Sequence, residues 1–348
     1  MNEKINSRHT RRQAPGEGAP PDWGSKSQET ARFEAGLALI DAAQRGDLEK
    51  VRQLLPMADC SFQDRNENNA LHAAAIFGHE ECLRELLPHF DAKKRGAEGQ
   101  TALMIAAGAR WPEGVKLLLP QSEPHATNEA GWTALMYSVH AGRVAEHPGW
   151  RAECARMILP VSDAKTLDKE GRSALFWAAQ AGNAECVGML LPFSDPLVAT
   201  QNGITPLMIG AWSGVEEVVA ALLPVSNARA VNKNGATALM FAASSGLEHG
   251  TRLLLGVSDL HARDNSGISA LDRAQAFRDP KVAKNLASMI QEQMALNERA
   301  ELAGAVSEVG GSKQGRAGQA AQDGADSVAR VGTAEEEPIV PRRSPKML

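Results

Sequence analysis

Cysteine is scarce: the 348 residues hold four, Cys60, Cys82, Cys154 and Cys186. That is too few and too scattered for a disulfide framework, so a reducing, cytoplasmic compartment is expected. Nowhere do eighteen apolar residues run together, so no helix is expected to span a membrane. The first thirty residues are polar, with Lys4, Arg8, Arg11, Arg12 and Pro20-Pro21, and contain no apolar core of a secretory signal. The formal charge is −5, and arginine concentrates only in the short runs RHTRR (8–12) and PRRSPK (341–346). Neither makes the basic stripe of a nucleic-acid binder, and both read as solvated tails.

Catalytic signatures are missing as well. There is no G-x-S-x-G, no phosphate-cradling G-x-x-x-x-G-K-[ST] and no G-x-G-x-x-G. HEECL (79–83) starts like the zinc motif H-E-x-x-H but has Leu83 where the second histidine must stand, so His79 and Glu80 read as turn residues. The cysteines lack C-x-x-C spacing and the nine histidines fall on different turns, so neither metal nor cofactor is expected. No catalytic residue is assigned.

What is present is a repeat. TALM stands at 101–104, 133–136 and 237–240, and TPLM at 205–208. NALH (69–72), SALF (173–176) and SALD (269–272) are looser copies. The starts are 32 residues apart except for one gap of 40, and LALIDAAQRGDLEKVRQLLP adds a unit near 37. Eight units follow, near 37, 69, 101, 133, 173, 205, 237 and 269, with an eight-residue insertion, RVAEHPGW, at 143–150.

Each unit reads as two short helices. A Thr or Ser precedes the first and can accept from its unpaired N–H groups. A glycine (Gly46, Gly78, Gly142, Gly182, Gly214 or Gly246) turns its end. The second helix has apolar residues at i, i+3 and i+4 and closes on a proline that cannot continue it. Links such as DKEG, NKNG and DNSG suit tight turns. Such a unit cannot bury its apolar face alone, so the units must stack. Arg110 replaces one turn glycine and Glu67 one hairpin glycine, which marks both places as irregular. Cys82, Cys154 and Cys186 share a slot that other units fill with Gly114, Val218 or Gly250, so they read as small buried residues.

The pattern resembles the ankyrin-repeat family, whose signature is T-P-L-H-x-A in a unit of a β-turn and two helices. GITPLMIGAWSG (203–214) and GRSALFWAAQAGNAECVGMLLP (171–192) carry the resemblance most clearly. It implies an all-α solenoid over 31–290, with a helical extension over 291–303 and disordered tails at 1–30 and 304–348. Val282, Leu286, Ile290 and Met294 form one stripe in KVAKNLASMIQEQMALNERAEL (281–302), read as packing on the last unit rather than as a coiled coil. The family's histidine is kept only as His72. It is Met at 104, 136, 208 and 240 and Phe at 176, where an apolar contact must replace its hydrogen bonds.

By the same resemblance, a partner protein would be gripped by hairpin tips and first-helix ends on a concave face. The positions carried over are Phe77, Gln100, Glu129, Trp132, Lys169, Glu170, Arg172, Gln201, Ile204, Trp212 and Lys233, with Trp150 in the insertion as a further contact. Trp212 stands where other units have Gln180 or Ser244, and Trp132 where they have Gln100, Arg172 or Ala236, so both are expected to be exposed. Trp177 and Tyr137 share a slot with Ile105, Ile209 and Phe241 and read as half-buried packing. The expectation is a monomeric, non-enzymatic scaffold, adaptor or inhibitor, with neither nucleic acid nor membrane as its target. A secreted effector using the same surface, or the targeting subunit of an enzyme, remains the alternative.

Overall fold

In the computed structural model the backbone is described for residues 23–140 and 148–322, and the side chains for 30–140 and 152–303. Among the described residues sixteen α-helices form eight pairs. They are α1 (Trp23–Arg45) with α2 (Leu48–Leu54), α3 (Ala70–Phe77) with α4 (Glu80–Leu86), and α5 (Ala102–Gly108) with α6 (Pro112–Leu118). Then come α7 (Ala134–Val139) with α8 (Pro148–Ile158), α9 (Ala174–Gln180) with α10 (Ala184–Leu190), and α11 (Pro206–Ser213) with α12 (Glu216–Leu222). The last are α13 (Ala238–Ser245) with α14 (Glu248–Leu255), and α15 (Ala270–Gln275) with α16 (Pro280–Gln322). First helices stack on first helices from α1 to α15, and second helices on second helices from α2 to α14.

The capping residues do what their spacing predicts. Asn69, Thr101, Thr133, Ser173, Thr205, Thr237 and Ser269 each accept, through the side-chain oxygen, from the backbone N–H three residues on, at 3.1–3.4 Å. Helices of six to eight residues are too short to stand alone in water. The cap satisfies one of their orphan donors, and stacking supplies the rest of the stability. The stacking surface is a set of columns. Leu39, Leu71, Leu103, Leu135, Leu175, Leu207 and Leu239 are at most 1% exposed. Leu86, Leu118, Ile158, Leu190, Leu222 and Leu254 form a second sealed column in the second helices.

At the helix ends, Pro120, Pro160, Pro192 and Pro224 each sit inside one 3-10 turn, which tightens the chain where the α-helix stops. Arg110 (φ 58) and Glu67 (φ 62) adopt the left-handed backbone themselves. The turns keep their geometry at those two places, and the irregularity is an L-residue held in a conformation that favours glycine. The three shared-slot cysteines are buried, and none of the four is bonded to another. Burial pushes up the thiols of Cys60 and Cys82 and raises Cys154 to about 12.

Three boundaries differ from the sequence reading. Helix α1 begins at Trp23, inside the stretch expected to be a tail, and α16 continues to Gln322, well beyond 303. Adding residues to a formed helix needs no new nucleus, and the good helix formers Lys, Gln and Glu occur in both extensions, with Ala in the second. Pro148 to Trp150 belong to α8 rather than to a lengthened turn, as suits a proline in the first turn of a helix. The remainder of the insertion, and the tails at 1–22 and 323–348, lie outside the described residues. The chain divides at 289/290 into two compact units. The second is described only as the continuation of α16 to Gln322.

Methionine and phenylalanine replace the family histidine by burial: Met104, Met136 and Met208 are 1% exposed, Met240 is 0% and Phe176 is 5%. His72 instead ties two units together. Its Nε2 donates to the carbonyls of Lys94 (3.1 Å) and Gln100 (3.3 Å) in the following hairpin. Burial holds its pKa below the ordinary 6.5, against the opposing pull of those carbonyls. The unfolded chain therefore takes up the proton more readily. The stability tied to neutral His72 is full above pH 6.5 and drains as pH falls toward the folded-state value, by at most about 1.4 kcal/mol per pH unit. Denaturant melts between pH 7.5 and 5 should show this slope, and His72→Met should flatten it.

Thr251 is fully buried and its hydroxyl has no hydrogen-bond partner among the described residues, in a slot that other units fill with Val115, Val187 and Val219. An orphaned buried hydroxyl costs about 1–3 kcal/mol. Thr251→Val should stabilise the protein by about 1 kcal/mol, seen as a raised thermal midpoint.

Candidate functional site

The hairpins between units present most of the residues singled out in the sequence. Their shape rests on one recurring polar residue. Asp64, Asn128, Asp168, Asn232 and Asp264 each use Oδ1 to accept from the N–H groups two and four residues on, at 2.8–3.0 Å. This is the side-chain mimicry of a turn available to Asp and Asn. In the third unit Gly96 holds that place and has no oxygen to offer. Asn68 of the preceding unit reaches across instead, its Oδ1 accepting from Ala97 N (3.1 Å). A Cβ on Gly96 would collide with that oxygen at 2.4 Å, so the glycine and the reach go together.

Successive tips are then bonded backbone to backbone. Glu129 N donates to Glu98 O, Lys169 N to Ala130 O and Gln201 N to Glu170 O, each at 3.0 Å. Lys233 N donates to Asn202 O and Asn265 N to Asn234 O, both at 2.9 Å. Side chains add rungs: Gln63 Nε2 donates to Arg95 O (2.8 Å), Gln201 Nε2 to Lys169 O (2.7 Å) and Asn265 Nδ2 to Lys233 O (3.0 Å). The tips are therefore held in register while the side chains of Glu129, Lys169, Glu170 and Lys233 stay exposed.

Beneath the tips, the first-helix ends carry an aromatic row. Trp212 is 53% exposed and stands edge-on to Phe241, ring centroids 6.2 Å apart. Phe77 is 55% exposed, beside Ile76 at 45%. Gln201 is exposed, and Gln100 and Ile204 are half-buried. Trp132 is half-buried, not out in solvent as its slot suggests. Its ring lies 4.4 Å from Trp177, 4.9 Å from His140 and 5.2 Å from Tyr137. Trp177 is only 5% exposed, and the Arg172 guanidinium sits 4.2 Å over it.

Arg172 is also committed. Its Nε donates to Asp168 Oδ2 at 2.7 Å and Nη1 reaches Glu170 Oε2 at 2.5 Å. With both its charge and its flat face occupied, Arg172 is a bracket for the aromatic cluster rather than a spare cation. Adjacent aromatic rings and a cation over indole stabilise one another, which explains why these slots, polar elsewhere, fold inward here. The side chain of Trp150 lies outside the described residues.

A cavity of about 310 Å³ opens on the same face, lined by Asn68, Ile76, Gln100, Ile105, Gly108 and Tyr137 among others. The sequence reading missed it, although a signal exists. Gly108 stands in the slot that holds Ile76, His140, Gln180, Trp212 and Ser244, so one unit lacks a side chain where its neighbours have one. Asn128 Nδ2 donates to the Tyr137 hydroxyl (2.9 Å) and fixes the ring that forms one wall.

Among the described residues no group of three or more His, Cys, Asp or Glu is placed to hold a metal, and no helix is long and apolar enough to cross a membrane.

Comparison with known proteins bears on the repeat. The family model of ankyrin repeats in three copies matches residues 39–127, 90–148, 109–193 and 143–230, and the single ankyrin repeat matches 234–265. No curated protein matches the chain.

The two exposed-slot tryptophans should part company on mutation. Trp132→Ala opens a gap against Trp177, Tyr137 and His140 and should cost about 2 kcal/mol. Trp212→Ala removes a mostly solvated ring and should change stability by less than about 0.5 kcal/mol. Thermal melts of the two variants side by side test this.

Proposed function

Because the chain belongs to the ankyrin-repeat family, we propose that it is a binding module without chemistry of its own, a scaffold, adaptor or inhibitor. It would hold a partner protein on the face made by its hairpin tips and first-helix ends. Ankyrin repeats are in general protein–protein interaction modules. The observation that carries the reading is Trp212. A large ring, 53% exposed and edge-on to Phe241, is set among tips whose backbone is already locked by hydrogen bonds. Exposed tryptophan is the commonest anchor of protein interfaces. A surface ordered before binding also loses little entropy when a partner docks.

Supporting the non-enzymatic part of the reading, burial raises the thiols of Cys60, Cys82 and Cys154, which leaves no thiolate nucleophile among those three near neutral pH. The contact set runs along the face as Phe77, Gln100, Glu129, Lys169, Glu170, Gln201, Ile204, Trp212 and Lys233. Trp132 and Arg172 shape it from beneath, and Trp150 would join from the insertion. Cytoplasmic residence and a monomeric state belong to this proposal.

The test is affinity capture from the organism's own extract, with bound proteins identified by mass spectrometry. Wild type is compared with a Trp212→Ala, Gln201→Ala, Lys233→Ala variant, which leaves the aromatic cluster intact. Losing one hot-spot residue of about 2 kcal/mol lowers affinity about 30-fold, so a partner recovered by wild type should vanish from the variant. A partner retained at full level by the variant would move the site off this face.

A further inference from the structure

We propose that the cavity at Gly108 takes one lysine or arginine side chain of a partner peptide, a refinement that rests on the binding face described above. The cavity exists for a local reason. The other seven units fill the corresponding slot with a side chain, whereas Gly108 leaves it open between Ile76 of the preceding unit and Tyr137 of the following one. Its volume, about 310 Å³, is at the small end of ligand sites. It suits a single side chain rather than a cofactor.

The walls and the rim ask for different chemistry. Ile76, Met104, Ile105 and the Tyr137 ring supply apolar walls, against which the methylenes of a long side chain pack while its charged head stays at the mouth. The two tips that overlook the mouth, Ala97–Gln100 and Glu129–Trp132, carry carboxylates and no cation. Glu98 accepts from Gln100 Nε2 at 3.2 Å, and Gln100 itself lines the cavity. Glu129 follows on the adjoining tip, bonded through its N–H to Glu98 O.

Glu67, next to the lining residue Asn68, adds a third carboxylate. None of the three is in an ion pair among the described residues. The cations nearby are Arg65, exposed beside Glu67, Lys94, exposed in the same hairpin as Glu98, and Arg95, whose Nη1 donates to Thr127 O at 2.5 Å along the hairpin row. With Asp64, which like Lys94 acts on His72, four carboxylates stand against three cations and leave the mouth negative. An aliphatic residue would fill the walls and waste the rim, and an acidic one would be repelled.

The chain contains one tyrosine, and it forms a wall of the cavity. Incorporating 3-fluorotyrosine into the full-length protein therefore gives a single ¹⁹F resonance that reports on the site. The probes are capped pentapeptides Gly-Ser-X-Ser-Gly with X as lysine, arginine, norleucine or glutamate. Lysine and arginine peptides should shift the resonance saturably, about fivefold more tightly than norleucine, the scale of one exposed ion pair. The glutamate peptide should give no shift.

Gly108→Gln places in the slot the residue that Gln180 supplies two units away, and should abolish the response with the thermal midpoint unchanged. Glu98→Gln with Glu129→Gln, which leaves the walls intact, should bring lysine down to the norleucine level. Norleucine binding as tightly as lysine, a lysine response surviving in Gly108→Gln, or no shift with any peptide would each overturn the assignment. Those results are separable from the capture comparison at Trp212. Partner loss there with no lysine response here removes the cavity's role and leaves the face.

Discussion

A leucine sealed from both sides by its neighbours is the contact on which the rest depends. Leu71, Leu103, Leu135, Leu175, Leu207 and Leu239 are all 0% exposed, and each is buried only because another unit stands on either side of it. Burial of such a side chain contributes about 1.5–3 kcal/mol, which no isolated pair of seven-residue helices could collect. The hydrogen-bonded caps fix where each helix starts, and so keep the leucines in one column. The order at the tips follows, because hairpins set at equal spacing bring the N–H of one beside the carbonyl of the next.

That regularity makes the departures readable. Across the units at 133 and 173, Trp132 just before one first helix and Tyr137 and Trp177 in mid-helix are aromatic, and the rings close on one another beside Arg172 instead of facing solvent. In the third unit Gly96 and Gly108 removed side chains at the base and at the far end of the first helix. One loss is made good by Asn68 from the unit before. The other is not made good, and a cavity remains. Trp212, with Gly210 and Ala211 before it, has Phe241 as its one ring contact among the described residues and stays half out.

Much of this was legible in the sequence because a repeat turns long-range contacts into short-range pattern. The eight units, the capping residues and the buried small slot of Cys82, Cys154 and Cys186 all follow from the repeat spacing. The exposure of Trp212 followed from its polar counterparts Gln180 and Ser244. The same rule misled at Trp132. Gln100 and Arg172 in its slot imply solvent, but its ring has Trp177 to lean on, a neighbour that Gln100 does not have. The helix bounds at Trp23 and Gln322 were missed because a helix already formed extends through residues that carry no apolar period.

The sequence alone determined the periodic part: which residues cap, which turn and which fill the columns, since each answers to its own helix and to a neighbour at fixed distance along the chain. Only the tertiary structure decided what the tips have free to offer. Arg172 and Trp132 are spent on the fold, Trp212 and Phe77 are not, and the space at Gly108 stays open between side chains of three different units. The physical reason is that side-chain availability depends on what stands opposite, and across units that is set by packing rather than by the period.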